Sequence, residues 1–219
     1  GDPSGELIIL VHGWESNAGS MSKFAFRFAE LGHRVVAFNL PGHANYASSH
    51  TNLLQCYTSM LDVLDHLNPT APITVVSHSF GSAVTANALS RSEYAVGRLV
   101  FLTEPNKIDD IFLEFKKIVA MGDRAYQEML KITENLLGEP LSNLDVDFNL
   151  NRIQYKELLL IHDAKDRILP YSNSQMIHKN VSNASLITLE KVGHYRMLWS
   201  DEVIEDAVSF VTEKEELVN

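Results

Sequence analysis

A serine between small residues, where an apolar strand pattern changes into a helical one, is the strongest chemical signal in the sequence. The segment reads Val75-Val76-Ser77-His78-Ser79-Phe80-Gly81-Ser82-Ala83. A sharp strand-to-helix turn would expose the Ser79 hydroxyl, and it brings the two backbones so close that only small side chains fit two residues before and after. Ser77 and Gly81 occupy those positions, although glycine is more usual than serine at the first. The pattern predicts that Ser79 is a nucleophile.

A serine hydroxyl reacts only when a base removes its proton, and that base must itself be oriented by a third group. In sheets that carry such a serine, the acid and then the histidine follow it in the chain. Three histidines follow Ser79, namely His162, His178 and His194. His178 falls in a predicted surface helix and His162 precedes the acid, whereas His194 lies in a glycine-containing loop after the last predicted strand. Catalytic side chains collect in such loops, and we predict His194 as the base.

Two aspartates after one strand compete for the role of the acid. Asp163 follows the strand end directly, where a turn residue whose carboxylate accepts from the backbone two residues on is typical. Asp166 lies further out and can reach the loop of His194. We predict Asp166 as the acid, with Asp163 as the alternative.

An oxyanion hole requires two backbone N–H groups aimed at the charge that develops in the transition state. The N–H of Phe80, directly after the serine, and that of Trp14, in the loop after the first strand, are predicted to supply it. Gly13 lets that loop approach the substrate closely. We predict substrate contacts from Gly13, His78 and Tyr195.

The elements that would position these residues are six short apolar runs with helical patterns between them. The predicted strands cover 7–11, 34–38, 73–76, 98–102, 157–161 and 185–189. Near-continuous apolar strands that alternate with helices predict an α/β fold, a mainly parallel sheet with helices on both faces. The whole chain, 1–219, is predicted to be one domain. An insertion at 104–150, with helices at 107–121 and 123–137, favours a helical lid over an ordinary helical excursion packed on the body.

Composition excludes several classes of partner. The net charge of −10 argues against nucleic acid, and the apolar runs are far shorter than the ~20 residues of a membrane helix. The nine histidines show no metal-binding spacing, so neither a metal nor a cofactor is predicted; His12 and His43 are interpreted as residues that hold loops. A single cysteine, Cys56, permits no internal disulfide and favours a reducing, cytoplasmic location.

With these residues in place, the chain resembles the α/β-hydrolase superfamily over nearly its whole length. The matching pieces are Val11-His12-Gly13-Trp14, Phe38-Asn39-Leu40-Pro41-Gly42-His43, Ser77 to Gly81, Asp163 to Pro170, and Gly193-His194. More narrowly, it is similar to small bacterial hydrolases and esterases with a His-Ser-Phe-Gly turn and a Gly-His-x-Arg loop. Asn39 and Ala44 depart from the aspartate and glycine common in the family. The sequence starts almost at the third of the family's eight strands, so six are expected.

The residues and the resemblance together predict a cofactor-free serine hydrolase that cleaves a small carboxylic ester or thioester through an acyl-enzyme on Ser79. A serine at this position disfavours dehalogenase and epoxide-hydrolase chemistry, which in the superfamily uses an aspartate there. Carbon–carbon bond hydrolysis and cofactor-free peroxidation remain open alternatives on the same fold. A non-catalytic, ligand-binding protein is the alternative from a different class.

Overall fold

The computed structural model describes residues 1–44 and 50–213 of the 219-residue chain. Six parallel strands form one sheet in the order β2-β1-β3-β4-β5-β6. They are β1 (Leu7–Val11), β2 (Arg34–Ala37), β3 (Ile73–His78), β4 (Val96–Leu102), β5 (Glu157–Asp163) and β6 (Ala184–Leu189). The six predicted strands are confirmed, with ends that differ by at most two residues.

Parallel neighbours cannot be joined by a tight turn, so each connection crosses over through helical segments. The helices are α1 (Ser22–Glu30), α2 (Leu53–Leu67), α3 (Phe80–Leu89), α4 (Ile108–Ile118), α5 (Asp123–Leu137), α6 (Val146–Leu150), α7 (Ser172–Asn180) and α8 (Asp201–Thr212). Short 3-10 turns occupy Ala18–Met21, Leu141–Leu144 and Arg196–Leu198. No helix within the two described ranges is long and apolar enough to cross a bilayer, and the cytoplasmic location stays a prediction.

Helices cover both faces of the sheet, which explains why its central strands carry near-continuous apolar runs. In β1, Leu7, Ile9 and Val11 face the core shared with α2 and α3, while Ile8 and Leu10 face α1 and α8. Each fully buried aliphatic side chain contributes roughly 1.5–3 kcal/mol to folding. The predicted α/β architecture, a parallel sheet with helices on both faces, is therefore confirmed.

The insertion between β4 and β5 is helical, as predicted, but its two ends belong to the body. Val146 and Leu150 are buried in the main core with α3. The entry and exit of the segment are joined where the Asn106 carbonyl accepts from Val146 N–H at 2.9 Å and the Asp145 carboxylate accepts from Ile108 N–H at 2.9 Å. Only the part between these joints, α4 and α5, stands apart from the main core. A lid function for 104–150 stays a prediction.

Parallel strands present all their carboxyl ends at one edge of the sheet. The segments that follow β1, β3, β4, β5 and β6 therefore meet there. Every predicted site residue lies in one of them, except His78, which is the last residue of β3. A site at this edge is the general expectation for open α/β sheets.

Candidate active site

Ser79 joins β3 to α3 in a strained backbone conformation, with φ 52° and ψ −124°. Such a conformation costs a non-glycine residue on the order of 1–3 kcal/mol. A methyl group at Gly81 would lie 2.5 Å from the His12 carbonyl oxygen and 2.6 Å from that of Val11. The backbones of α3 and β1 are thus as close as the sequence pattern predicts, and only glycine fits at this position.

Serine replaces the usual glycine at position 77 without leaving a buried polar group unpaired. The Ser77 hydroxyl is fully buried and lies 2.6 Å from that of Thr85, so the two hydroxyls bond to each other. A buried hydroxyl without a partner would cost about 1–3 kcal/mol. The hydrogen bond explains why this departure from the common pattern is tolerated.

The structure brings Ser79, His194 and Asp166 together. His194 Nε2 lies 3.0 Å from Ser79 Oγ, and His194 Nδ1 lies 2.8 Å from Asp166 Oδ2. An ionised carboxylate can only accept, so Nδ1 carries the imidazole proton and Nε2 is left with a lone pair towards the serine hydroxyl. The three side chains that sequence order and spacing selected therefore form one directed hydrogen-bond chain.

Asp166 is held as an anion by the groups around it. Its Oδ1 accepts from the backbone N–H of Ile168 at 2.7 Å and of Leu169 at 3.2 Å, and its Oδ2 accepts from His194 and from the Thr103 hydroxyl. Burial opposes ionisation, but these hydrogen bonds outweigh it and hold the pKa of Asp166 well below its usual range.

Asp163, the alternative acid, anchors the loop of His194 instead of contacting its ring. Its Oδ1 accepts from Lys165 N–H at 2.8 Å, the turn interaction predicted for it, and its Oδ2 accepts from Gly193 N–H at 2.6 Å. Gly193 has φ +72°, which suits glycine. Asp163 thus fixes the Val192–Gly193 peptide group, one residue before His194.

His78 lies in a different environment from the one predicted for it. The side chain is only 2% exposed, and its Nε2–H donates to the His194 carbonyl at 3.0 Å. Burial, followed by the nearby His194, lowers the pKa of His78 to about 4. A neutral, buried ring of this kind holds the histidine loop, so the structure does not support the predicted substrate contact by His78.

Gly13 lies against Ser79, and Trp14 lies against Phe80, the residue that follows the serine. A methyl group at Gly13 would lie 3.1 Å from Ser79 Cβ, so the backbone after β1 passes directly beside the nucleophile position. The Trp14 ring packs edge-on to Phe80 with centroids 5.2 Å apart. Phe80 is the first residue of α3, where helix N–H groups have no partner within the helix. The positions suit two oxyanion donors.

His12 and His43 hold the surrounding loops. His12 Nδ1–H donates to the Gly13 carbonyl at 2.8 Å, and its Nε2 accepts from Leu40 N–H at 3.0 Å. Burial lowers the pKa of His12 to about 4. His43 Nδ1–H donates to the Pro41 carbonyl at 2.9 Å. Both rings bind backbone, as interpreted from the sequence.

The mouth of the site is aromatic. Trp14 is 49% exposed and Tyr195 57% exposed, and Tyr195 packs edge-on to the His194 ring at 5.0 Å. Exposed aromatic surface beside a reactive group is typical of ligand contact. The predicted contacts by Gly13 and Tyr195 are compatible with these positions.

Two residues directly after β4 escaped the sequence patterns. Thr103 is fully buried with φ +50°, a rare conformation for a β-branched residue, and its hydroxyl donates to Asp166. Glu104 is fully buried as well, and neither of its carboxylate oxygens has a hydrogen-bond partner. The only signal in the sequence is their place at a strand carboxyl end. In residues 1–44 and 50–213, no three His, Cys, Asp or Glu side chains form a group that could hold a metal ion.

Comparison with solved structures shows the same fold in several enzymes. An esterase from Exiguobacterium antarcticum is 19% identical, with a TM-score of 0.72 over 96% of this chain and 93% of the other. A bromoperoxidase from Bacillus anthracis is 17% identical, with a TM-score of 0.74 over 97% and 94%. A 2-hydroxy-6-oxo-6-phenylhexa-2,4-dienoate hydrolase from Rhodococcus sp. strain RHA1 is 15% identical, with a TM-score of 0.68 over 96% and 91%. At these low identities, the similarity shows a shared fold and nothing more.

Sequence comparison places the fold in a family. No curated protein matches the chain significantly. The pattern that describes the alpha/beta hydrolase family matches residues 8–207, which is most of the chain. Strand order and turn geometry agree with that match. The chain therefore belongs to the α/β-hydrolase family.

Proposed function

We propose that the chain is a serine hydrolase that cleaves a carboxylic ester or thioester through an acyl-enzyme on Ser79. The observation that carries the proposal is the position of His194 between Ser79 Oγ, at 3.0 Å, and Asp166 Oδ2, at 2.8 Å. Both distances lie within the reach of a nucleophile–base pair and of an orienting acid.

In the first step, Ser79 Oγ attacks the carbonyl carbon of the substrate while its proton passes to His194 Nε2. Positioned general-base catalysis of this kind contributes about 10²–10⁴-fold in rate. Asp166 stays ionised, holds the imidazole in the required tautomer and stabilises the imidazolium that forms. The carbonyl oxygen becomes an oxyanion, which accepts from the N–H groups of Phe80 and Trp14.

In the second step, the tetrahedral intermediate collapses and His194 gives its proton to the departing alcohol or thiol. Water then enters, loses a proton to the same Nε2 and attacks the acyl carbon. The acyl–Oγ bond of the second tetrahedral intermediate breaks, His194 returns the proton to Ser79 Oγ, and the carboxylic acid leaves. Each missing oxyanion donor costs about 10²–10³-fold in comparable sites, so the Gly13–Trp14 backbone is as important as the side chains.

The aromatic mouth supports an uncharged, apolar acyl or leaving group. Trp14 and Phe80 lie on the oxyanion side of Ser79 and Tyr195 lies on the histidine side. Burying a half-exposed aromatic ring against an apolar substrate group stabilises the complex by about 25 cal/mol per Å². A chain-length series of p-nitrophenyl esters and acyl-CoA thioesters would identify the preferred group.

Labelling with a fluorophosphonate probe tests the proposal directly. The parent should react at Ser79, and Ser79→Ala should not react. Ser82→Ala is a matched control because it removes a buried hydroxyl from α3, the helix that follows Ser79, and it should label as the parent does. A folded parent without Ser79-dependent labelling would overturn the proposal and would favour a ligand-binding role.

The structural neighbours keep two alternatives in view, since one is named a bromoperoxidase and another a dienoate hydrolase. Both carbon–carbon hydrolysis and peroxidation are discriminated by substrate. An enzyme that labels at Ser79 but acts faster with hydrogen peroxide and bromide, or on a dienoate, than on any ester would change the assigned reaction and leave the nucleophile unchanged.

A further inference from the structure

Thr103 combines a strained backbone with complete burial. It is the first residue after β4, it has no exposed surface, and its φ is +50°. Glycine or asparagine would adopt this conformation far more readily than a β-branched residue. A costly conformation of this kind persists only where the surroundings enforce it, and such outliers cluster at functional sites.

Three groups meet at the Thr103 hydroxyl. Oγ1 hydrogen-bonds Asp166 Oδ2, and it lies 3.2 Å from His194 Nδ1 and 3.3 Å from His162 Nε2. A hydroxyl has one proton and two lone pairs, and a carboxylate only accepts. The proton of Thr103 therefore points to Asp166, and its lone pairs face the two imidazoles.

His162 lies directly behind Thr103. Its Nε2–H donates to the Leu169 carbonyl at 3.2 Å, which leaves Nδ1 as the acceptor for the Ser174 hydroxyl at 2.5 Å. The ring is fully buried, and burial lowers the pKa of His162. A neutral imidazole with this tautomer also directs its Nε2–H towards Thr103 Oγ1.

These contacts give one hydrogen-bond chain in which every donor has an acceptor. From the far side it runs from Ser174 through His162 and Thr103 to Asp166, and Asp166 also receives the chain from Ser79 through His194. Asp166 itself lies in the segment between β5 and α7, where its neighbour Arg167 is exposed. Backbone N–H groups fix Asp166 Oδ1. Without the Thr103 hydroxyl, Asp166 Oδ2 would be held only by His194, the imidazole that it must orient.

We propose that Thr103, supported by His162, is a positioning residue for the proposed hydrolysis. Its hydroxyl fixes Asp166 Oδ2 independently of His194, so that the imidazole meets a carboxylate already in place. The proposal rests on the proposed serine-hydrolase function, and it assigns a role to two residues that take no part in bond making.

Thr103→Val tests the proposal because it keeps the shape and the β-branching of the side chain and removes the hydroxyl. We expect kcat on a p-nitrophenyl ester to fall about 10- to 100-fold, the effect of losing one hydrogen bond to a charged group, with KM changed less than about twofold. Thr103→Ser keeps the hydroxyl and should retain most of the activity. Thr74→Val, a half-buried threonine in β3, is the matched control and should leave kcat unchanged.

A pH profile separates positioning from a merely structural role. The acid limb of kcat/KM should move in Thr103→Val, because the carboxylate that stabilises the imidazolium loses a donor, and it should stay in place in Thr103→Ser. If the valine variant does not fold, the pair Thr103→Ser and Thr103→Ala carries the same comparison, since the two differ only by the hydroxyl.

Fluorophosphonate labelling distinguishes failure of this proposal from failure of the proposed serine-hydrolase function on which it rests. A parent that does not label at Ser79 overturns the proposed function. A parent that labels at Ser79, together with a hydroxyl-free variant of equal kcat, equal labelling rate and unmoved acid limb, overturns the role of Thr103 alone. Slower labelling of Ser79 in Thr103→Val, restored in Thr103→Ser, supports it.

Discussion

Glu104 makes the stability of this protein depend on pH in a direction that carboxylates seldom show. The side chain is fully buried and neither oxygen has a hydrogen-bond partner. Burial raises the pKa of Glu104 from 4.5 to about 7. An ionised carboxylate in such surroundings is expensive, so the folded protein keeps the proton longer than the unfolded chain does.

The size of the effect follows from the two pKa values. Between pH 4.5 and about 7 the folded state binds a proton that the unfolded state has released, so the free energy of unfolding falls as pH rises. At 1.36 kcal/mol per unit, the loss totals about 3 kcal/mol and levels off above the folded pKa. Glu104→Gln is close in shape and cannot ionise. The free energy of unfolding of the variant, minus that of the parent, should therefore rise by about 3 kcal/mol from acidic pH to pH 8. Any constant effect of the amide does not change this rise.

Urea unfolding at pH 5, 6, 7 and 8 measures this difference. His12 and His78, whose pKa values are lowered to about 4, contribute stability that is lost as pH falls from about 6.5 towards 4. That opposite trend is present in both proteins and cancels in their difference. Glu93→Gln, the same substitution at an exposed position, is the matched control. Parallel curves for the parent and Glu104→Gln would refute the inference that Glu104 is buried without a partner.

Two further predictions concern the histidine loop. Asp166→Asn should lower kcat/KM about 10³–10⁴-fold in a folded protein, because the amide no longer enforces the tautomer of His194. Asp163→Asn should mainly destabilise the loop, by about 1–3 kcal/mol, because Gly193 N–H loses its acceptor. Steady-state kinetics and urea unfolding of both variants measure these effects, and loss of activity in Asp163→Asn alone would show that the acid is wrongly assigned. His78→Phe should lower kcat about 10-fold through the lost hydrogen bond to the His194 carbonyl, with little change in KM, and a change confined to KM would instead restore the substrate contact first predicted for it.

The fold could be predicted from the sequence because each strand and helix has a pattern of apolar residues that is visible within its own segment. A parallel sheet covered on both faces requires near-continuous apolar runs in its strands. β1, β4 (Leu99 to Leu102) and β5 (Leu158 to Ile161) show such runs without alternation. The predicted end of β3 lies two residues before the observed one, because Ser77 and His78 are typical of turns although both lie in the strand. The sequence pattern does not predict helix α6, because its five residues show too little of the helical period.

The groups proposed to react were also predictable, since their chemistry limits them to a few residue types. A nucleophile on a strained turn needs small neighbours, and a base and an acid must follow at strand carboxyl ends, so Ser79, His194 and Asp166 stand out. The direction in which a side chain points cannot be predicted in the same way. The sequence around His78 does not indicate whether its ring faces a substrate or the protein interior. Its orientation depends on packing against the loop of His194, which lies 116 residues further along the chain.

Positioning residues are the least visible of all, because any small donor in the right place can serve. Thr103 bonds to a residue 63 positions away and lies beside one 91 positions away, and a threonine carries no signal for a positive φ. What does predict it is topology. Once β4 and β5 are known to be neighbours, the residue after β4 must lie beside the segment that carries the acid. A buried polar side chain at that place needs a partner, and the carboxylate beside it is the group best suited to accept its proton.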